Sequence, residues 1–167
     1  MTSAIPERPT VIDATVFSNL AYLGHVDRLR ILVRPVTPKA VRDELVAGSE
    51  LYPFLTDATT ALSTEIQVVE MDEGSRVVFE QLRDRLDRGE AECLAIAETH
   101  DGLLVTDDGA ARQLARDRDI RVTGTIGVLI ELVDDDVIDE DTADAWLERL
   151  IDETDYRVPS RDFSDYL

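Results

Sequence analysis

Two stretches built on the same plan restrict this chain to a small set of architectures. Leu103-Leu104-Val105-Thr106-Asp107-Asp108-Gly109-Ala110-Ala111-Arg112 begins with three apolar residues suited to a buried strand. It passes a Thr and two adjacent carboxylates and enters a helix-compatible segment at Ala110. Thr10-Val11-Ile12-Asp13 does the same near the start: a short apolar strand ends on an acid. Helical spacing then runs from Ala14 to Leu23, with Phe17, Leu20 and Ala21 on one face and Gly24 as a stop. Strand-acid-helix units belong to open parallel sheets, whose ligands sit outside the carboxyl ends of the strands. An Asp at such a turn also has a simpler use, because its side chain can cap the first turn of the helix. The repetition at two tips is what marks them as a candidate site.

The rest of the chain fills in the same α/β pattern. Val26 to Leu32 reads as a short helix and Val33 to Val36 as a second strand, with Thr37 at the N-cap and Pro38 at the first position of the next helix. In that helix Ala40, Val41 and Ala47 lie three or four residues from Glu44, which places Glu44 beside the apolar stripe, where a carboxylate needs a partner, a cation or a metal. An arginine at the rim would satisfy it equally. Glu50 to Leu62 reads as a helix, Ile66 to Val69 as a third strand, and Glu73 to Leu86 as a charged helix that Gly89 interrupts.

The helix resumes from Glu90 to Thr99. At 100° per residue Glu90 stacks with Cys93, Leu94 and Ala97 while Glu92 falls off that stripe, although either acid also suits a helix N-terminus. After the strand at Leu103 come a helix from Ala110 to Arg118, a fifth strand from Ile120 to Thr123, and an apolar helix to Val133 with Thr125 as its N-cap or as a phosphate contact. Asp134-Asp135-Asp136 is a solvated loop, Asp141 to Ile151 a last helix with Trp146 and Leu150 as core or interface residues, and Tyr156 to Pro159 a possible edge strand. The expected whole is one domain over residues 1–167, with a core over about 10–133 and a C-terminal helix and tail over 139–167.

Composition narrows the chemistry. Cys93 is the only cysteine, which leaves no internal disulfide and no multi-cysteine zinc site, and His25 and His100 are the only histidines, expected at the surface or in loops. No run approaches the roughly 18 apolar residues of a membrane span. Met1 to Pro9 has no apolar centre of a signal peptide, so a cytoplasmic protein is expected. There is no internal repeat, low-complexity linker or glycine-rich phosphate loop. The net charge is −19, with 36 acidic residues against 17 basic ones, and Lys39 is the only lysine. Such a shell resembles proteins of salt-in halophilic archaea, in which molar salt screens self-repulsion, so the charge does not exclude nucleic acid as a ligand.

Four acids thus take related positions: Asp13 and Asp108 after strands, Glu44 and Glu90 on inward helix faces. Converging carboxylates need a counter-charge, and an oxygen-only site suits Mg²⁺ or Mn²⁺. With no nucleophilic Cys or Ser-His arrangement on offer, the chemistry that remains is metal-assisted phosphodiester hydrolysis.

Val-Ile-Asp near the start, Val-Thr-Pro-Lys-Ala-Val-Arg-Asp-Glu-Leu, Gly-Glu-Ala-Glu-Cys-Leu-Ala-Ile-Ala, Leu-Leu-Val-Thr-Asp-Asp-Gly-Ala-Ala-Arg and Thr-Gly-Thr-Ile-Gly-Val-Leu together resemble the PIN-domain family, over about Val11 to Leu132. The resemblance implies a three-layer α/β/α sandwich around a central, mainly parallel sheet of about five strands. It implies a Mg²⁺- or Mn²⁺-dependent endoribonuclease, plausible as the toxin of a toxin–antitoxin pair, with RNA as substrate, an antitoxin protein as partner and a homodimer as assembly. Carried over by position, the acids are Asp13, Glu44, Glu90 and Asp108. The third is usually Asp in the toxin members, and here Glu92 rivals Glu90, as Asp107 rivals Asp108 for the metal. Arg112, Lys39 and Thr125 are the candidates for contact with substrate. Two other readings stand beside this one: a non-catalytic PIN scaffold that binds RNA or a partner, and a phosphoryl-accepting receiver-like domain. The single lysine, placed early in the chain, speaks against the latter.

Overall fold

The computed structural model describes residues 4–167; the first three residues of the polar leader lie outside the described residues. Five short strands form one parallel sheet: β1 (Thr10–Ile12), β2 (Pro35–Pro38), β3 (Gln67–Val69), β4 (Leu103–Val105) and β5 (Val122–Thr123). Their spatial order is β3-β2-β1-β4-β5, so the chain winds outward from β1 to one edge and then returns to build the other half. The reversal falls between β1 and β4, which pair Thr10 with Leu103 and Ile12 with Val105. Parallel sheets are covered on both faces, and the strand residues Val11, Ile12, Val36, Val69, Leu104 and Val105 are accordingly buried.

The helices are α1 (Ala14–Tyr22), α2 (Lys39–Ser49), α3 (Thr56–Thr64), α4 (Glu73–Leu82), α5 (Arg88–Thr99), α6 (Gly109–Asp117), α7 (Thr125–Asp134) and α8 (Glu140–Glu153). Helix α5 packs on β1, β2 and β4 and is flanked by α4 and α6, while α1 meets α3 and α7, with α8 on α7. Helix α2 touches both α1 and α5, closing the layer arrangement near the carboxyl edge of the sheet. The result is the α/β/α sandwich that the resemblance to the PIN-domain family implies. No helix among the described residues is long and apolar enough to cross a membrane.

Several local expectations are corrected. Strand β2 lies two residues later than the apolar run indicates, because Pro35, Val36 and Thr37 pair with β1 and β3. Thr37 is therefore a strand residue and not an N-cap; its hydroxyl donates to the Ile12 carbonyl at 2.7 Å, and Pro38 takes the cap position. The helix expected over Glu50 to Leu62 starts only at Thr56, after a single 3-10 turn at Pro53–Leu55. Gly89 does not interrupt a helix; it sits in the first turn of α5, and the break lies earlier, after Leu82. The segment Tyr156 to Pro159 adds no strand to the sheet. Instead the tail folds back on α8: the Phe163 amide donates to Asp144 at 2.9 Å and Arg161 pairs with Asp152 at 2.7 Å. Trp146 stacks on His25, the ring centroids 4.2 Å apart.

Candidate functional site

The turns after β1 and β4 stand side by side at the reversal point, as the parallel pairing of those strands requires. Asp13 follows β1 and is only 2% exposed. Its Oδ2 accepts from the Thr106 hydroxyl at 2.8 Å and more distantly from Thr15. The Thr106 hydroxyl also accepts from the Asp108 amide at 3.1 Å, so one threonine joins the two strand tips. Burial pushes the Asp13 carboxyl up to about 6 against the pull of the Thr106 hydrogen bond, and the nearby charges of Asp87 and Asp108 add to the rise.

The two adjacent aspartates after β4 have different uses. Asp107 is consumed by the fold: its Oδ1 accepts from the Thr125 amide at 2.8 Å, and its Oδ2 from the Thr125 hydroxyl and from Asn19 Nδ2 at 2.9 Å. These bonds fasten the β4 tip to the starts of α7 and to α1. Gly124 is required beside them, since a Cβ there would lie 2.3 Å from Asp107 Oδ1. Asp108 caps α6 through Oδ2, which accepts from the Ala111 amide at 2.8 Å, and among the described residues no hydrogen bond engages its other oxygen.

Thr125 is fully buried on Asp107 and is not the N-cap of α7, a position that Gly124 holds. Arg112 turns inward, donating to the Thr106 carbonyl at 3.0 Å. Both are thus drawn into the support of the corner, which leaves Lys39, exposed at the start of α2, as the sequence-expected substrate contact that faces open space.

The glutamates need a larger correction. Glu90 closes a reciprocal capping box at the start of α5: Asp87 Oδ1 accepts from the Glu90 amide at 2.9 Å, and Glu90 Oε2 accepts from the Asp87 amide at 3.2 Å. Glu92, expected off the buried stripe, is 4% exposed and pairs with Arg88 at 2.8 Å. Helical phase fails here because α5 has no solvent face in its middle; Ala91, Cys93, Leu94, Ala95, Ile96 and Ala97 are all buried. Phase distinguishes in from out only for a helix with one wet side.

Glu44 and Gly89 meet where α2 passes α5, and a Cβ on Gly89 would lie 3.1 Å from Glu44 Oε2. Partial burial raises the Glu44 carboxyl to about 7, with Asp87 and Asp13 contributing. Glu90 is raised as well, by burial first and then by Asp87 and Asp108. Asp87 is therefore the acid common to the fields on Asp13, Glu44 and Glu90, and it is not among the acids expected from sequence. Its signal was present: Asp87 followed three residues later by Glu90 is the capping-box spacing. Asn19 and Thr15, the side chains that brace Asp107, carried no comparable signal.

Glu44, Asp87 and Glu92 line an open cleft of about 670 Å³ between α2, the start of α4 and the start of α5, together with Lys39, Arg76 and Arg88. The acid set offers oxygen only, which matches Mg²⁺ or Mn²⁺ better than a softer ion, and the raised carboxyls are those a cation would return to their charged form. As they stand, no three His, Cys, Asp or Glu side chains among the described residues are close enough together to hold an ion.

A family model described as PIN domain matches residues 9–167. No curated protein matches the chain. Among solved structures the chain resembles VapBC-1 from nontypeable Haemophilus influenzae, at 14% identity and a TM-score of 0.53, over 70% of this chain and 97% of that one. That likeness concerns the fold. With the sheet order, the acids at the strand tips and a match spanning almost the whole length in agreement, the chain belongs to the PIN-domain family.

Proposed function

We propose that this protein is a metal-dependent endoribonuclease and the toxin half of a toxin–antitoxin pair. The observation that carries the reading is the desolvated carboxylate of Asp13 at the reversal point of the sheet, joined through Thr106 to Asp108 and raised in concert with Glu44 and Glu90. A protein holds acids in that uncomfortable state when something positive is to be bound among them. Membership of the PIN-domain family and the likeness to VapBC-1 support the same reading.

In it, Asp13, Glu44, Asp108 and Glu90, with Asp87 beside them, hold Mg²⁺ or Mn²⁺. When bound, the ion supplies a Lewis acid for the phosphodiester and makes water acidic enough to attack near neutral pH. The chain's own part is orientation. Thr106 fixes Asp13, Ala111 fixes one oxygen of Asp108 and frees the other, and the Asp107-Thr125-Asn19 cluster keeps the β4 corner from moving. RNA is the substrate, an antitoxin chain the partner, and a second copy the companion subunit.

The test is cleavage of RNA by purified protein with Mg²⁺ or Mn²⁺, with EDTA, and by the Asp13→Asn variant. Cleavage that withstands EDTA, or that the variant keeps at full rate, rejects the reading. A scaffold that binds RNA or a partner without cutting it is the second reading, and the lack of three carboxylates within reach of a common ion among the described residues favours it. RNA binding with no cleavage in either metal would decide for it.

A further inference from the structure

The cleft beside the acids contains two cations that the rest of the chain leaves alone. Only some of the arginines on this surface pair with acids, among them Arg30 with Glu65, Arg42 with Asp43, Arg83 with Glu80, Arg118 with Glu98 and Arg161 with Asp152. Lys39 and Arg76 make no ion pair and no side-chain hydrogen bond among the described residues, although Asp43, Glu44 and Glu70 line the same cleft. Arg85 and Arg116 are likewise without an ion pair or a side-chain hydrogen bond among the described residues, so what sets Lys39 and Arg76 apart is their place: both line the cleft that Glu44 and Asp87 also line. The third cation of the cleft, Arg88, is 75% exposed and reaches Glu92 through Nε.

Placement gives these cations a use. Lys39 opens α2, the helix that carries Glu44, and the first turn of α2 has no acidic side-chain cap to neutralise it. Arg76 stands in the first turn of α4, and Asp87 and Gly89 at the start of α5 line the same cleft. The cleft wall thus carries Lys39, Asp43 and Glu44 on α2, Glu70 and Arg76 beside and on α4, and Asp87, Arg88 and Glu92 at the start of α5, so cations and acids alternate along it. With five carboxylates against three cations on its lining, it repels a polyanion until a divalent ion is bound. After that, the unpaired ammonium and guanidinium are the groups left to meet phosphates.

We propose that Lys39 and Arg76 hold phosphates of the substrate strand that flank the cut, so that single-stranded RNA runs through the cleft between α2 and α4 and not across α6. This rests on the nuclease reading above. It assigns the strand a path and replaces Arg112, which is tied to the Thr106 carbonyl, as the guanidinium that meets substrate. Phosphate contacts fix register and orientation and carry no base sequence, so this grip is indifferent to sequence.

The experiment measures binding of a fluorescent 12-nucleotide single-stranded RNA by anisotropy over a KCl series. Ca²⁺ stands in for Mg²⁺ because its flexible coordination supplies the charge without the octahedral geometry. Lys39→Gln and Arg76→Gln are compared with wild type and with Arg116→Gln, an exposed cation on α6 outside the cleft. Each cleft variant is expected to weaken binding about five- to tenfold and to reduce the slope of log K against log salt by roughly 0.7, the value for one phosphate contact on a single strand. Arg116→Gln should stay within about twofold, and in Mg²⁺ the cleft variants should raise KM with little change in kcat. Cleft variants that bind like Arg116→Gln overturn the path while cleavage by wild type still upholds the nuclease. Wild type that neither binds nor cuts RNA overturns both. A clear loss of Tm in Lys39→Gln or Arg76→Gln would show that these side chains hold the fold instead, and overturns the path as well.

Discussion

Asp13 is the residue at which stability and the proposed function oppose each other most directly. Its carboxyl is buried, its one strong partner is neutral, and its pKa is raised from 3.8 to about 6. A raised carboxyl binds its proton more tightly in the folded state, so its contribution to stability is greatest at low pH, declines as pH climbs from about 4 to about 6, and is absent above that. At about 1.4 kcal/mol per pH unit the charged form costs on the order of 3 kcal/mol at pH 8. Asp13→Asn keeps an acceptor for Thr106 and removes the charge. In EDTA it should melt higher than wild type at pH 8 and no higher at pH 4; a variant less stable at pH 8 would show that the charge is satisfied. At Asp107 the opposite outcome is expected. Its two oxygens accept three hydrogen bonds, and Asp107→Asn should lose roughly 2–3 kcal/mol in urea unfolding, against about 1 kcal/mol for Asp108→Asn. In sequence the two aspartates are neighbours of equal standing; only the arrival of α7 and α1 from elsewhere in the chain decides which one the fold consumes.

At the scale of elements, α5 shows where reading by pattern stops. Its existence was legible, because Gly-Glu-Ala-Glu ahead of an apolar run suits a helix start, but its cap Asp87 was not, since Gly89 reads as a break. Which acid faces the site was not, because a helix buried on both sides presents no polar face against which to set the phase. The structure divides the work differently from the wheel: Asp87 and Glu90 cap, while Glu92 lies buried against Arg88. Three variants separate these uses. Asp87→Ala should cost about 1 kcal/mol of stability through the lost cap, and it should also lower the raised pKa of Glu44, readable by NMR titration. Glu90→Gln retains an acceptor for the Asp87 amide and should leave stability within about 0.5 kcal/mol while abolishing metal-dependent cleavage. Glu92→Gln removes the charge that holds Arg88 and should weaken cleavage less. Equal loss of cleavage in the two glutamine variants would mean that both acids reach the ion. The tip of β1 needed no such arbitration, since a single acid, Asp13, follows its short apolar run.

For the whole molecule the governing quantity is the charge of −19, spread over a domain whose parallel α/β character, though not its strand order, the strand-acid-helix rhythm already implied. Unscreened, that charge opposes both the compact state and the approach of RNA; at about 0.1 M salt the Debye length is roughly 10 Å, long enough for the acids to repel one another across the surface. At 1 M it falls to roughly 3 Å, and only direct contacts survive. The midpoint of thermal unfolding should therefore rise steeply between 0.1 and 2 M KCl, by on the order of 10 °C, which corresponds to several kcal/mol for a domain of this size. Catalysis should respond differently from binding. Inner-shell bonds between carboxylates and Mg²⁺ or Mn²⁺ are shorter than the screening length, and K⁺ offers no substitute for them. Turnover at saturating RNA should accordingly persist in molar KCl and vanish in EDTA, while KM climbs with salt as phosphate contacts weaken. The measurement is kcat and KM for an RNA oligonucleotide across the KCl series beside the melting curve. If kcat instead falls in step with KM while Tm is still rising, the reacting centre depends on long-range attraction and not on directly coordinated metal. Asp13, Glu44, Glu90 and Asp108 would then be acids the fold tolerates and not acids it uses.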